Sequence, residues 1–126
     1  MSVTQEQLEF VASRALGWRY EPPTSSSSGP VYGKLPAHPG GWRDPLDSAL
    51  HHLNDVIYGA GPSRIITAMR AKYWKMTLEA WPLPTGICNI GFRHHYSGVN
   101  DGGSALEFGE AVVIAAYNAL KAAESE

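Results

Sequence analysis

Side chains able to do chemistry are few in this sequence, and their spacing argues against most of it. Histidines come as His51-His52, His94-His95 and the lone His38. Adjacent histidines splay by about 100° on a helix and point to opposite faces of a strand. A metal prefers histidines at i,i+4 on a helix or i,i+2 on a strand, and neither spacing occurs. Cys88 is the only cysteine, so one chain can build neither a thiolate cage nor an intrachain disulfide. Nucleophilic catalysis needs Ser or Cys beside a histidine that an acid orients. The sequence has no Gly-x-Ser-x-Gly, and Cys88 and His94 fall on the strand face that carries Ile90 and Phe92, which reads as core. Glu79 stands alone, without a second carboxylate for glycoside chemistry. The glycines of residues 98–103 lack both the lysine of a phosphate loop and a preceding Rossmann strand. The expectation is a protein that is not an enzyme, holds no metal or cofactor, and works by binding.

Binding chemistry is better represented. Tyr73, Lys75, Thr77, Glu79 and Trp81 alternate with Trp74, Met76, Leu78 and Ala80, and Asn89, Gly91 and Arg93 alternate with Cys88, Ile90 and Phe92. A period of two predicts half-buried strands over 73–81 and 87–95. With the apolar set turned to the helices, the opposite face holds Tyr73, Lys75, Thr77, Trp81, Asn89, Arg93 and His95. Rings beside cations and an amide suit a flat anionic ligand: the rings stack on a base while Arg and Lys meet phosphate. Gly91 would let such a ligand approach the backbone. The competing expectation is that solvent, a helix or another subunit covers this face, and a homo-oligomer is expected because exposed Tyr73 and Trp81 need cover. Both can hold together, since subunit interfaces often form ligand pockets. Tyr32, Lys34, His38, Trp42 and Arg43 lie in a Gly/Pro-rich loop that is either a lid completing the pocket or an inert insertion. Trp42 and Trp81 would serve equally as anchors for a partner protein.

Charge and composition set further bounds. A net charge of −2 argues against a protein that coats nucleic-acid polymers. Its distribution is uneven: Arg64, Arg70, Lys72, Lys75 and Arg93 are half of the basic residues, opposed between 64 and 95 by Glu79 alone. That segment should carry a local positive potential. No apolar run reaches the roughly 18 residues of a membrane span. The opening residues lack the basic and apolar regions of a signal peptide, so a cytoplasmic protein is expected. At 126 residues and 44% hydrophobic, residues 1–126 are expected to form a single domain.

The elements that must position these residues follow from caps, breakers and periodicity. Thr4-Gln5-Glu6-Gln7 is a capping box, and Leu8, Val11, Ala12, Ala15 and Leu16 form one helical stripe ended by Gly17. Residues 21–43 hold Pro22-Pro23, a serine run, Pro30, Pro36, Pro39 and Gly40-Gly41, which predicts a long loop with at most a brief edge strand at Val31-Tyr32. Asp44-Pro45 reads as a helix start, with Leu46, Ala49, Leu50, Leu53, Val56 and Ile57 as its stripe and Gly59 and Pro62 as its end. Residues 64–69 fit either a third strand or a short helix. Residues 82–86 turn the chain and 98–103 read as a flexible loop. Ser104-Ala105-Leu106-Glu107 looks like a second capping box, opening a last helix that runs to about Ala122. The sum is an α+β fold: a small three-stranded, mainly antiparallel sheet packed with three helices, α-β-α sandwich-like.

Four pieces of this layout resemble the phage ABA sandwich domain, a family of small tailed-phage and prophage proteins. They are residues 8–18 (LEFVASRALGW), the Asp44 segment with its Leu/Ala stripe, the strand pair 73–81 and 87–95, and the Ala-rich tail 110–119. The insertion 21–41 and Phe108-Gly109 depart from the family pattern, and the family offers no catalytic residue to carry over. The resemblance implies a phage accessory protein acting in the cytoplasm of the infected bacterial host. By analogy with small phage proteins of comparable build, it would counter host defence by sequestering a nucleotide-type signal or by docking on a defence protein.

Overall fold

The structure, a computed structural model, describes residues 3–23, 40–46, 48–82 and 85–124. Helix α1, Gln5–Arg14, begins as expected. Thr4 Oγ1 accepts from the Gln7 amide at 3.2 Å, and Gln7 Oε1 accepts from the Thr4 amide at 2.9 Å. Its stripe of Leu8, Val11 and Ala12 is buried. Gly17 then turns the chain at φ +73°, a left-handed conformation that suits glycine, and delivers Trp18 into the core.

The segment read as one long loop is a strand at both ends. β1 (Arg19–Glu21), β2 (Gly41–Arg43) and β3 (Leu50–His51) form a small antiparallel sheet in that order, with Tyr20 opposite Trp42 and Trp42 opposite His51. Val31-Tyr32, Lys34 and His38 lie outside the described residues. The helix expected from Asp44 to Ile57 does not form. Asp44 closes a turn instead: its Oδ1 accepts from the Leu46 amide at 2.8 Å and its carbonyl accepts from the Ser48 amide at 2.8 Å. An aspartate that satisfies nearby backbone amides competes with a helix start using the same atoms. Leu46, counted in the stripe, is 91% exposed, and the chain runs through β3 into a 3₁₀ helix at Leu53–Val56.

Helix α2, Gly61–Ala71, settles residues 64–69 as helix. Pro62, read as a terminator, stands in its first turn, where a missing N–H costs nothing. Three strands follow as an antiparallel meander: β4 (Trp74–Ala80), β5 (Cys88–His94) and β6 (Asn100–Ala105). The third strand is therefore not 64–69 but the segment expected to be a glycine loop, and Ser104 lies within it rather than capping a helix. Helix α3 is Phe108–Glu124. It seats on β6 and β5, with Ile114 and Ala115 against Gly103 and Asn118 Nδ2 donating to the Gly102 carbonyl at 2.9 Å, and α1 and α2 pack on it in turn.

Gly103 explains the disguise of β6. A Cβ there would stand 2.3 Å from Ile114 Cγ2 and 2.9 Å from the Ala115 nitrogen. The strand has no apolar side chain of its own at this point because the helix fills the space. Among the described residues the fold is thus α+β, with three α-helices and two three-stranded antiparallel sheets. Phe92, Ile65, Met69, Val11, Val56, Val112 and Val113 are fully buried at its centre.

Candidate functional site

With α3 on one face of the β4-β5-β6 sheet, the register defines the other face as three rows. Lys75 lies opposite Arg93 and Arg93 opposite Asn100. Thr77, Gly91 and Gly102 form the second row, and Glu79, Asn89 and Ser104 the third. No helix of the described residues covers these side chains, and Lys75, Thr77, Glu79, Arg93, Asn100 and Ser104 are exposed. The two glycines leave the middle of the sheet bare. A shallow groove of about 500 Å³ runs here, lined by Thr77, Glu79, Asn89, Gly91 and Ser104.

Lys75 and Arg93 are like charges on directly opposed residues, an arrangement that disfavours the sheet unless an anion offsets it. Among the described residues neither has an ion-pair partner. Glu79 is four residues along β4, roughly 13 Å away at strand rise. Two other cations of the expected basic segment, Arg64 and Lys72, are engaged elsewhere. Arg64 Nη1 sits 3.3 Å from Asp44 Oδ2. Lys72 Nζ donates to the Arg14 carbonyl, and burial holds the Lys72 ammonium below the usual lysine range.

Beside the cation pair stands a cluster of rings. Tyr73 meets Tyr96 edge-on with centroids 5.2 Å apart, and His95 meets Tyr96 at 4.8 Å. The His95 amide donates to the Tyr73 carbonyl at 2.9 Å, extending the β4–β5 ladder by one rung. His94 turns inward, edge-on to Trp74 at 5.1 Å. Tyr73 itself adopts φ +70°, a left-handed conformation unusual for a side chain of this size. Tyr73 is 60% exposed.

The structure therefore gathers Tyr73, Lys75, Arg93 and His95 at one end of the open face. Asn89 lies two rows away in the groove. Trp81, 51% exposed, follows the far end of β4, with its amide bonded to the Ile87 carbonyl at 2.8 Å. The seven residues of β4, eight steps of strand rise, separate it from Tyr73, roughly 26 Å. Trp42 and Arg43 belong to the other sheet. Arg43 Nε and Nη2 each reach the Glu21 carboxylate at 2.8 Å and Nη1 donates to the Ser48 carbonyl at 2.8 Å. The Glu21 hydrogen bond raises the Arg43 pKa further. That guanidinium staples β1 to β2, and Trp42 packs on Tyr20 at 5.4 Å. Sequence reasoning missed Tyr96, the hub of the ring cluster, because it follows the strand in a turn where alternation carries no signal. It missed Asn100, Gly102 and Ser104 because a glycine-rich strand reads as a loop.

No family model matches this chain. No curated protein or solved structure matches it significantly either. The resemblance to the phage ABA sandwich family accordingly stands on the sequence segments alone.

A second cavity, about 450 Å³, lies between the end of α1 and α2, lined by Leu16, Trp18, Leu46, Thr67, Ala68 and the Asp44–Arg64 pair. Its charged lining is self-paired, and buried Asp44 is further engaged by the Leu46 amide. Trp18 stacks on His51 at 4.7 Å with planes 9° apart, and His51 Nδ1 lies 3.4 Å from Asp55 Oδ2. Among the described residues, no three His, Cys, Asp or Glu side chains gather as a metal site would require, and no helix is long and apolar enough to cross a membrane.

Proposed function

We propose that this protein is a non-catalytic binder that holds a small anionic, base-bearing ligand of nucleotide type on the open face of the β4-β5-β6 sheet. The carrying observation is the opposed Lys75–Arg93 pair, without an ion-pair partner among the described residues and next to the Tyr73–Tyr96–His95 rings. An anion there converts cross-strand repulsion into attraction, and the planar guanidinium of Arg93 can take two phosphate oxygens at once. The rings offer an edge or a face to a base. Gly91 and Gly102 let a flat group lie close to the backbone, with Asn89, Thr77 and Ser104 as hydrogen-bonding side chains along the groove.

The biological setting rests on the sequence resemblance: a phage accessory protein that counters host defence by sequestering a nucleotide signal in the bacterial cytoplasm. Protein purified from its host and then denatured should release material absorbing at the nucleobase maximum, and added nucleotides should raise the melting temperature of ligand-free protein. Absence of both, or turnover of the nucleotide, would refute the proposal. A docking role on a host defence protein is the second reading. It is favoured by exposed Leu106 and Phe108 at the β6–α3 junction, on the same end of the sheet as Trp81. Under it, nucleotides leave the melting temperature unmoved and a host protein of defined stoichiometry is retained, with Leu106→Ser releasing it.

A further inference from the structure

We infer that β4 is the meeting edge of two copies of this chain, paired antiparallel about a two-fold axis at Thr77. β4 is an edge strand of its sheet, seven residues long and free of proline. Such an edge presents backbone donors and acceptors to any strand that fits them. The direction of these groups follows from the ladder. The His95 amide bonds the Tyr73 carbonyl and the Trp81 amide bonds the Ile87 carbonyl, so the odd-numbered residues turn their backbone groups toward β5. The amides and carbonyls of Trp74, Met76, Leu78 and Ala80 therefore point out of the open edge. The side chains on this strand are largely uncovered: Leu78 is 51% exposed although it lies on the helix side of the sheet.

The residues of β4 complement their own reverse. About an axis at Thr77, Met76 of one copy meets Leu78 of the other in a hydrogen-bonded pair, on the helix side of both sheets. Lys75 of one copy meets Glu79 of the other in a closely spaced, non-hydrogen-bonded pair, where opposite charges attract best. Tyr73 of one copy meets Trp81 of the other. Each contact occurs twice. Other registers lose this. An axis at Met76 sets Lys75 against Thr77 and Glu79 against Tyr73; one at Leu78 sets Lys75 against Trp81 and Glu79 against Thr77. An axis at Lys75 or at Glu79 sets like charges opposite each other. The other edge, β6, offers Asn100, Asp101, two glycines, Ser104 and Ala105, with no oppositely charged pair to match.

The pairing has a consequence for the open face. Trp81, which within one chain lies far from Tyr73, arrives beside the Tyr73 ring of the other copy. Lys75 gains Glu79 as a neighbour, leaving Arg93 as the unshared cation. Each end of the interface then carries Tyr73, Arg93 and His95 of one copy with Trp81 of the other, so Trp81 joins these groups only in the dimer. This consequence rests on the anion-binding reading; the pairing itself does not.

The test measures mass and cross-linking on the full chain with no ligand added, so its outcome is independent of whether nucleotides bind. Light scattering should give a dimer. Lys75→Glu or Glu79→Lys alone places two like-charge pairs across the axis and should weaken dimerisation about tenfold, whereas the double variant should restore it. In a Cys88→Ala background, Thr77→Cys should form an intermolecular disulfide on mild oxidation, since paired Cα atoms roughly 4.5 Å apart permit one, and Lys75→Cys should not. All substituted strand positions except Cys88 are exposed, and circular dichroism is the check that each variant folds. A monomer at tens of micromolar, a dimer indifferent to the single charge reversals, or cross-linking at position 75 as fast as at 77 would overturn the inference.

Discussion

Two glycines on adjacent strands offer a direct test of which face of the main sheet is covered. Gly103 on β6 lies under α3, where a Cβ would be 2.3 Å from Ile114 Cγ2 and 2.9 Å from the Ala115 backbone nitrogen. The Ile114 methyl can move, but the helix backbone cannot yield without shifting α3 on the sheet. Overpacking of this kind costs about 1–3 kcal/mol, and the gain from a less flexible unfolded chain returns about 0.4–1 kcal/mol. Gly103→Ala should therefore destabilise by about 1–2 kcal/mol. With roughly 2.1 cal/mol/K of unfolding entropy per residue, a chain of 126 residues loses about 4 °C of melting temperature per kcal/mol, so the expected fall is about 4–8 °C. Gly91 on β5 faces the other way, and a Cβ there meets Thr77 Oγ1 at 2.8 Å, the rotatable end of a side chain. Gly91→Ala should leave stability unchanged or raise the melting temperature by up to about 4 °C. Thermal melts and urea titrations of the two variants, with unchanged urea dependence as the sign of an intact native state, decide the matter. A neutral Gly103→Ala, or a Gly91→Ala more damaging than Gly103→Ala, would refute the assignment of covered and open faces, and the candidate site would go with it.

Three further outcomes follow from the same geometry. Arg93→Ala should abolish the nucleotide-induced rise in melting temperature while leaving the ligand-free melt in place, and binding by the intact protein should weaken as salt is added, both read by thermal shift. Asp44→Ala removes the acceptor of the Leu46 amide and the carboxylate facing Arg64, for an expected loss of about 1–3 kcal/mol in urea unfolding; Asp44→Asn, which keeps the acceptor, should lose less. Burial lowers the folded-state pKa of Lys72 below the ordinary 10.5, so between the lowered value and 10.5 the unfolded chain binds more protons. Stability from this group should rise with pH across that window, and Lys72→Met should flatten the rise in urea midpoints.

What was legible in the sequence divides along the range of the interactions involved. α1 and the β4–β5 pair were readable because their signals are local: a capping box closes within four residues, and alternation reports which face is wet. The open face of Lys75, Arg93, Tyr73 and His95 came with them. The segment from Asp44 to Pro62 misled because its signals have two meanings. An aspartate before proline caps a helix or closes a turn, and Gly-x-Gly-Pro ends one helix or begins the next. Only burial separates the cases, and burial is tertiary: Leu46 is exposed whereas Val56 and Ile57 are in the core. β6 was invisible for a stronger reason. Its middle glycines look like a turn because they lack the side chains that report a strand, yet that lack is what the two faces require of them. Gly103 admits the α3 backbone on one side, and Gly102 beside Gly91 leaves the groove open on the other. The same absence that hides the strand from a reading of periodicity brings the helix close and leaves the middle of the opposite face bare, so the candidate site is a product of helix packing as much as of the residues that line it.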